Sequence, residues 1–142
     1  MFKLVRLLVV LLIGLTLQGA SAQTPESEAA NQARAVIQAQ LDAFAADDAQ
    51  RAFSFATPGT RARFGTAENF ITMVRTGYPA VYRPASVSFL PAKSDSDSVV
   101  QPVNIADEAG RLWIAIYQLV RQTDSSWRIE GCQLFSQPGS RT

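Results

Sequence analysis

From about residue 30 to residue 77 the apolar positions recur with a period near 3.6, and from residue 81 onward with a period near 2. Ala33, Ile37, Leu41 and Phe44 form one stripe, widened by Val36 and Ala45, while Arg34, Gln38 and Asp42 lie off it. This predicts an amphipathic helix beginning near Ala30. Asp47, with Gln50 three residues on, fits a cap for a short second helix carrying Ala52, Phe53 and Phe55. Thr57-Pro58-Gly59 reads as a helix start or a turn, and Gly65 closes the segment 60–64. Thr66 caps a third helix with Ala67, Phe70, Ile71 and Val74 on its apolar side, and Gly77 before Tyr78-Pro79 stops it.

The period-2 half predicts strands over 85–90, 99–106, 111–121 and 126–136, with short connections at 107–110 and 122–125 that make the last three antiparallel neighbours. In the third strand both faces are apolar: Leu112, Ile114, Ile116 and Val120 on one, Trp113, Ala115, Tyr117 and Leu119 on the other. It therefore belongs in the centre of the sheet. Helices cover one face, and the other needs a partner subunit, another layer or a lined cavity. Pro102 places the second strand at an edge or a bend, because it lacks a donor for one ladder. Gly131 suggests a bulge that puts Trp127 and Ile129 on the same face as Cys132 and Leu134.

The first 22 residues stand apart from this pattern. Lys3 and Arg6 flank the start of an apolar run ending at Leu17, and Ala20-Ser21-Ala22 offers a small-x-small cleavage site before Gln23. The run is shorter than the roughly 20 residues a bilayer crossing needs. It reads as a secretory signal rather than an anchor, so an exported protein, periplasmic or secreted, is expected, with no membrane span after cleavage. Residues 23–30 read as a flexible polar leader, 31–138 as a single domain, and 139–142 as a flexible tail.

Removal of Lys3 and Arg6 with that segment changes the net charge from +1 to −1. Near-neutral charge with scattered arginines lacks the footprint of a nucleic-acid binder, so that class of partner is set aside. Histidine is absent, which excludes Ser-His-Asp and Cys-His catalysis and ordinary zinc sites. Cys132 is the single cysteine, so no internal disulfide forms; it reads as a small buried hydrophobe on a strand rather than a reactive thiol. The Ser94-Asp95-Ser96-Asp97-Ser98 run fails both EF-hand registers, which would need Gly at the sixth position and Glu at the twelfth, and reads as a solvated loop. No GxSxG, P-loop or GxGxxG spacing occurs. No cofactor, metal or catalytic constellation is expected.

Helices followed by a curved antiparallel sheet make an α+β layout: three N-terminal helices, then four strands. The stretches LDAFAADDAQRAFSF, from Leu41 to Phe55, and GRLWIAIYQLVRQTDSSWRIEGCQL, from Gly110 to Leu134, resemble the nuclear-transport-factor-2-like, or SnoaL-like, cone. More closely, ATPGTRARFGTAENFITMVRTGYPAVYRP and WRIEGC resemble a bacterial exported family, domain of unknown function 4864. The resemblance implies a long helix wrapped by a bent sheet, a pocket inside the cone, and frequent dimerisation through the open sheet face. It implies no single activity. The superfamily's early hairpin is missing here or reduced to residues 58–65.

Some superfamily members are ketosteroid-isomerase-like or hydrolase-like enzymes that use pocket carboxylates with tyrosine or arginine. Asp42 or Glu130 would be the acids here, beside Arg75 and the tyrosines, but no residue matches a family catalytic motif, and both acids are expected to face solvent. Tyr78, Tyr82, Trp113, Tyr117, Trp127 and Arg83 are the ligand-pocket candidates, since aromatic bodies with polar tips suit mixed pocket walls. The sequence thus favours a non-catalytic protein binding a small apolar or amphipathic ligand. The alternatives are an interaction module that forms a homodimer or docks through its sheet, and a carboxylate/tyrosine enzyme.

Overall fold

The computed structural model describes residues 24–138, together with Gly19 and Ala22. The rest of the segment read as a signal, and the tail 139–142, lie outside the described residues. The chain runs α1 (Pro25–Ala45), α2 (Ala49–Ser54), α3 (Pro58–Phe64), α4 (Ala67–Gly77) and α5 (Pro79–Tyr82), then β1 (Ser86–Phe89), β2 (Lys93–Ser94), β3 (Ser98–Ala106), β4 (Leu112–Arg121) and β5 (Trp127–Ser136). The α+β layout holds, with five helical segments and five strands where three and four were expected.

The differences are local and have local causes. Helix α1 starts at Pro25 rather than near Ala30, because Thr24 accepts the Ser27 N–H at 3.2 Å, proline occupies the first turn, and Glu26 and Glu28 favour the positive helix end. The N-cap of α2 is Asp48, whose carboxylate accepts the Arg51 N–H at 3.1 Å; Asp47, the expected cap, has φ 54° and a different role. Thr57 caps α3, Gly65 closes it at φ 79°, and Thr66 caps α4. Pro79 opens one further turn, α5, because its fixed φ and missing N–H suit a first helical position.

The sheet is antiparallel in the order β1-β3-β4-β5, with β2 pairing the same edge of β3 as β1. Strands β1 and β2 behave as one edge strand interrupted around Pro91: β1 pairs Val103 to Ala106, and β2 pairs Val99 and Val100. Pro102 sits in the gap. Its carbonyl accepts the Leu90 N–H at 3.0 Å on that edge, so its missing donor faces the interruption and costs the β3–β4 ladder nothing. Buried Gln101 seals the same gap, donating from Nε2 to the Leu90 and Pro102 carbonyls at 2.6 and 2.7 Å and accepting from Arg34 Nε at 3.0 Å.

Strand β4 is central, as its two apolar faces require. The inner face carries Val99, Val103 and Ile105 of β3, Ala115, Tyr117 and Leu119 of β4, and Trp127, Ile129, Cys132 and Leu134 of β5. The last four share this face because the β4–β5 register slips between Gln118↔Gly131 and Leu119↔Ile129, leaving Glu130 as the extra residue of a bulge. Helix α1 lies across this face, burying Ala33, Ile37, Leu41 and Phe44 against it.

Backbone bonds tie the helical layer to the sheet beside the bulge. Thr57 N–H donates to Ile129 O at 3.0 Å, Ile129 N–H donates to Phe55 O at 2.8 Å, and the Thr60 hydroxyl donates to Glu130 O at 2.9 Å. The outer face, with Leu112, Ile114, Ile116, Val120, Val100 and Phe135, has no covering layer among the described residues, and Val100, Leu112 and Phe135 are 37, 42 and 53% exposed.

Candidate functional site

Between α1, α3 and α4 on one side and β4–β5 on the other, the core opens into a cavity of about 180 Å³. Its walls are aromatic and aliphatic: Phe44 from α1, Phe64 from α3, Phe70 and Met73 from α4, and Tyr117 and Ile129 from the sheet. Phe70 organises one wall, lying 6.0 Å from the Phe44 ring and 5.5 Å, edge-on, from Phe64. Arg63 and Glu130 are exposed and mark the mouth. Gln40 is buried in the wall and donates to Ala52 O at 3.1 Å.

The polar feature of the interior is Tyr117. Its side chain is 1% exposed, and its hydroxyl is buried without a hydrogen-bond partner in the protein. Cys132 stands directly opposite across the β4–β5 pair and also lines the cavity. Its thiol influences the phenol's titration without a hydrogen bond of ordinary geometry. Burial raises the Tyr117 pKa well above its usual range and pushes the Cys132 thiol to about 12, so both groups stay protonated at neutral pH. The reading of Cys132 as an unreactive, strand-borne residue fits this environment.

Of the sequence-derived candidates, Tyr117 and Tyr78 line this cavity. The others do not. Tyr82, Arg83 and Trp113, together with Tyr78, line a larger and more open surface groove of about 860 Å³ beside α5 and the β3–β4 turn. There the Tyr82 hydroxyl donates to Asp47, Arg83 bonds Asp47 at 2.9 Å and Phe44 O at 2.6 Å, and the Arg83 and Arg75 guanidinium groups lie 4.1 and 5.3 Å from the Tyr82 ring centre. Asp47 thus joins the α1–α2 turn to α5 rather than capping a helix.

Trp113 donates its indole N–H to Asp107 at 3.0 Å, and Trp127 donates to Gln32 at 3.0 Å in a third depression near the α1 start. Asp107 also accepts the Ala109 and Arg111 N–H groups and Arg111 Nε, and its carboxyl is held below the ordinary value, first by the Trp113 indole, although it is covered by its own turn rather than by the core. The polar tips of Tyr82, Arg83, Trp113 and Trp127 are thus committed to holding the fold.

Asp42 is exposed and accepts from Gln38, and Glu130 sits at the open mouth. Among the cavity-lining residues no carboxylate is buried. Asp95 accepts the Asp97 and Ser98 N–H groups and the Ser98 hydroxyl, closing the β2–β3 loop on itself. Sequence reasoning did not single out Met73, Arg63 or Gln40 as pocket residues; Met73 flanks the apolar stripe of α4, where periodicity does not separate core from cavity wall.

A helical layer laid over the concave face of a bent antiparallel sheet, with a cavity between, defines a nuclear-transport-factor-2-like cone. A solved NTF-2-like protein of unknown function from Silicibacter pomeroyi DSS-3 shares it, at a TM-score of 0.55 and 17% identity over 78% of this chain and 98% of that one. The family described as domain of unknown function (DUF4864) matches residues 26–142, and the chain belongs to that family. No curated protein matches the chain.

Proposed function

We propose that this protein is an exported, non-catalytic binder of a small, mainly apolar molecule, held in the cavity between the helices and the sheet. The observation that carries the reading is the cavity itself: about 180 Å³, walled by Phe44, Phe64, Phe70 and Met73, and open to solvent between Arg63 and Glu130. An apolar cavity of about 150 Å³ is large enough to take benzene, so this volume fits one ring with a short substituent. An acid-base enzyme would place a buried carboxylate beside the reacting atoms, and Glu130 lies at the rim. The export part rests on the N-terminal pattern alone; N-terminal sequencing of the protein from its host is expected to begin at Gln23.

Native mass spectrometry of protein purified from its host tests the binding. A mass excess that disappears on denaturation is expected; a bare chain at every collision energy counts against the reading.

A second reading concerns the outer sheet face. Leu112, Ile114 and Phe135 adjoin across β4 and β5, and exposed apolar faces of this kind serve as contact surfaces. A homodimer through this face is the partner it fits. Sedimentation should then show a dimer that Phe135→Glu with Leu112→Glu converts to monomer; a wild-type monomer at high concentration ends this reading.

A further inference from the structure

The mouth of the cavity carries two opposite charges that the fold does not use. Arg63 on α3 and Glu130 on the β5 bulge are both exposed, and both line the opening. The ion pairs among the described residues are Arg83 with Asp47 and Arg111 with Asp107, so Arg63 and Glu130 pair neither with each other nor with another charged group. Outside the sheet ladder Glu130 is held through its backbone oxygen, which accepts the Thr60 hydroxyl at 2.9 Å. That bond ties α3 to the bulge, and Arg63 follows Thr60 by about one helical turn, so the guanidinium and the carboxylate border the same opening. Packing asks only for a residue at position 130, which leaves the carboxylate itself available to a ligand.

Behind these charges the walls are apolar, and Tyr117 and Cys132 stay protonated, so a charged group has its place at the mouth and not in the interior. A ligand with one charge there would meet its like: an anion would stand beside Glu130, a cation beside Arg63. A ligand with both charges on neighbouring atoms avoids either repulsion and answers both groups.

Resting on the pocket reading above, we infer that the cavity takes a free α-amino acid with an aromatic or branched aliphatic side chain, its side chain inside, its carboxylate toward Arg63 and its ammonium toward Glu130. One carbon bearing both charges and an apolar group matches an opening with both charges above a space of about 180 Å³, the size of one ring with a short substituent. A residue within a peptide, or at one end of it, lacks at least one of the charges and would leave Arg63 or Glu130 unanswered. Both are binding residues in this assignment, and no bond is made or broken.

L-Phenylalanine, 3-phenylpropionate and 2-phenylethylamine test it, because they share the ring and differ in carrying both charges, the carboxylate alone or the ammonium alone. Toluene probes the cavity without any charge. NMR chemical-shift titration of the purified protein gives an affinity for each, and the series is repeated on Arg63→Gln and Glu130→Gln. Both side chains are exposed, so both variants are expected to fold, and toluene binding to each checks that the cavity is intact.

Phenylalanine is expected to bind roughly threefold to fivefold more tightly than either single-charge analogue, the worth of one exposed ion pair at each end. Glu130→Gln should bring phenylalanine down to the level of 3-phenylpropionate, and Arg63→Gln should bring it down to that of 2-phenylethylamine. If toluene binds but phenylalanine binds no better than its single-charge analogues, or if the two variants leave its advantage untouched, the inference is overturned while the cavity remains a binding site. If none of the four probes binds at millimolar concentration, the pocket reading itself fails and the inference goes with it.

Discussion

Trp113 and Tyr117 point from the same face of β4, four residues apart, and each carries an apolar body with one hydrogen-bond donor at its tip. At the strand's start the Trp113 indole N–H meets Asp107 at 3.0 Å, and Arg111 lies over its ring at 5.9 Å, so the indole donor is engaged in holding the β3–β4 turn. At the strand's middle the Tyr117 hydroxyl is enclosed without a hydrogen bond of ordinary geometry, and the residue forms part of the cavity wall. One strand thus has a saturated end that builds the fold and an unsaturated middle that leaves room for something else. The difference lies not in residue type but in whether a distant element delivers an acceptor.

Four measurements would break or sharpen this contrast. The largest effect concerns Cys132. With its thiol pushed from 9.0 to about 12, its thiolate fraction at pH 8 falls about a thousandfold below that of an ordinary cysteine, and iodoacetamide should modify the folded protein correspondingly slowly, with normal rates in urea. Rapid labelling of the native state would mean that this end of the cavity is wet and open. Next, Phe44→Ala removes the buried ring joining the helix layer to the cavity wall and should cost about 3–5 kcal/mol in urea unfolding; a loss under about 1 kcal/mol would show that the wall is already loose.

The third pair sets the two aromatics directly against each other. Trp113→Phe removes one of the several hydrogen bonds that Asp107 accepts and should destabilise by about 1 kcal/mol, whereas Tyr117→Phe, which discards a hydroxyl without an ordinary partner, should leave the ligand-free protein unchanged or stabilise it by about 1 kcal/mol. Equal losses from both would dissolve the distinction.

The smallest effect is in acid. Because Asp107 titrates below its ordinary 3.8 when folded, its contribution is fully present above that value and is lost as pH falls through the folded pKa. Asp107→Asn should therefore flatten part, not all, of the acid limb of a stability–pH curve, since Asp95 and Asp124 are also held low by hydrogen bonds within their turns. An unaltered acid limb would mean that Asp107 keeps its partners in the unfolded chain.

Much of the architecture was legible. The switch from a 3.6 to a 2 period located the helical and sheet halves, the two apolar faces of 111–121 placed β4 in the centre, and Gly131 marked the bulge, because each of these is a local pattern with one packing solution. Strand β2 escaped notice because two residues carry no period, and the first turn of α1 did because its capping signal, Thr24-Pro25-Glu26, is polar. The site was less legible for a different reason. Tyr82, Trp113 and Trp127 were sound candidates by chemistry, yet their donors end on Asp47, Asp107 and Gln32, separated from them by 35, 6 and 95 residues. Composition reveals a polar tip, and only tertiary structure reveals whether it is already answered.

The extra residue at Glu130 has a consequence for how this gene tolerates change in length. Along β5 the side chains before and after the bulge are out of step by one, and that single added residue brings Trp127 and Ile129 back to the interior with Cys132 and Leu134. Deleting Glu130 would hand Trp127 and Ile129 to the solvent side and pull Arg128 inward, while an insertion in the 122–126 turn would shift nothing that is buried. For this stretch, counting matters more than chemistry: almost any residue suits position 130, provided that one is there.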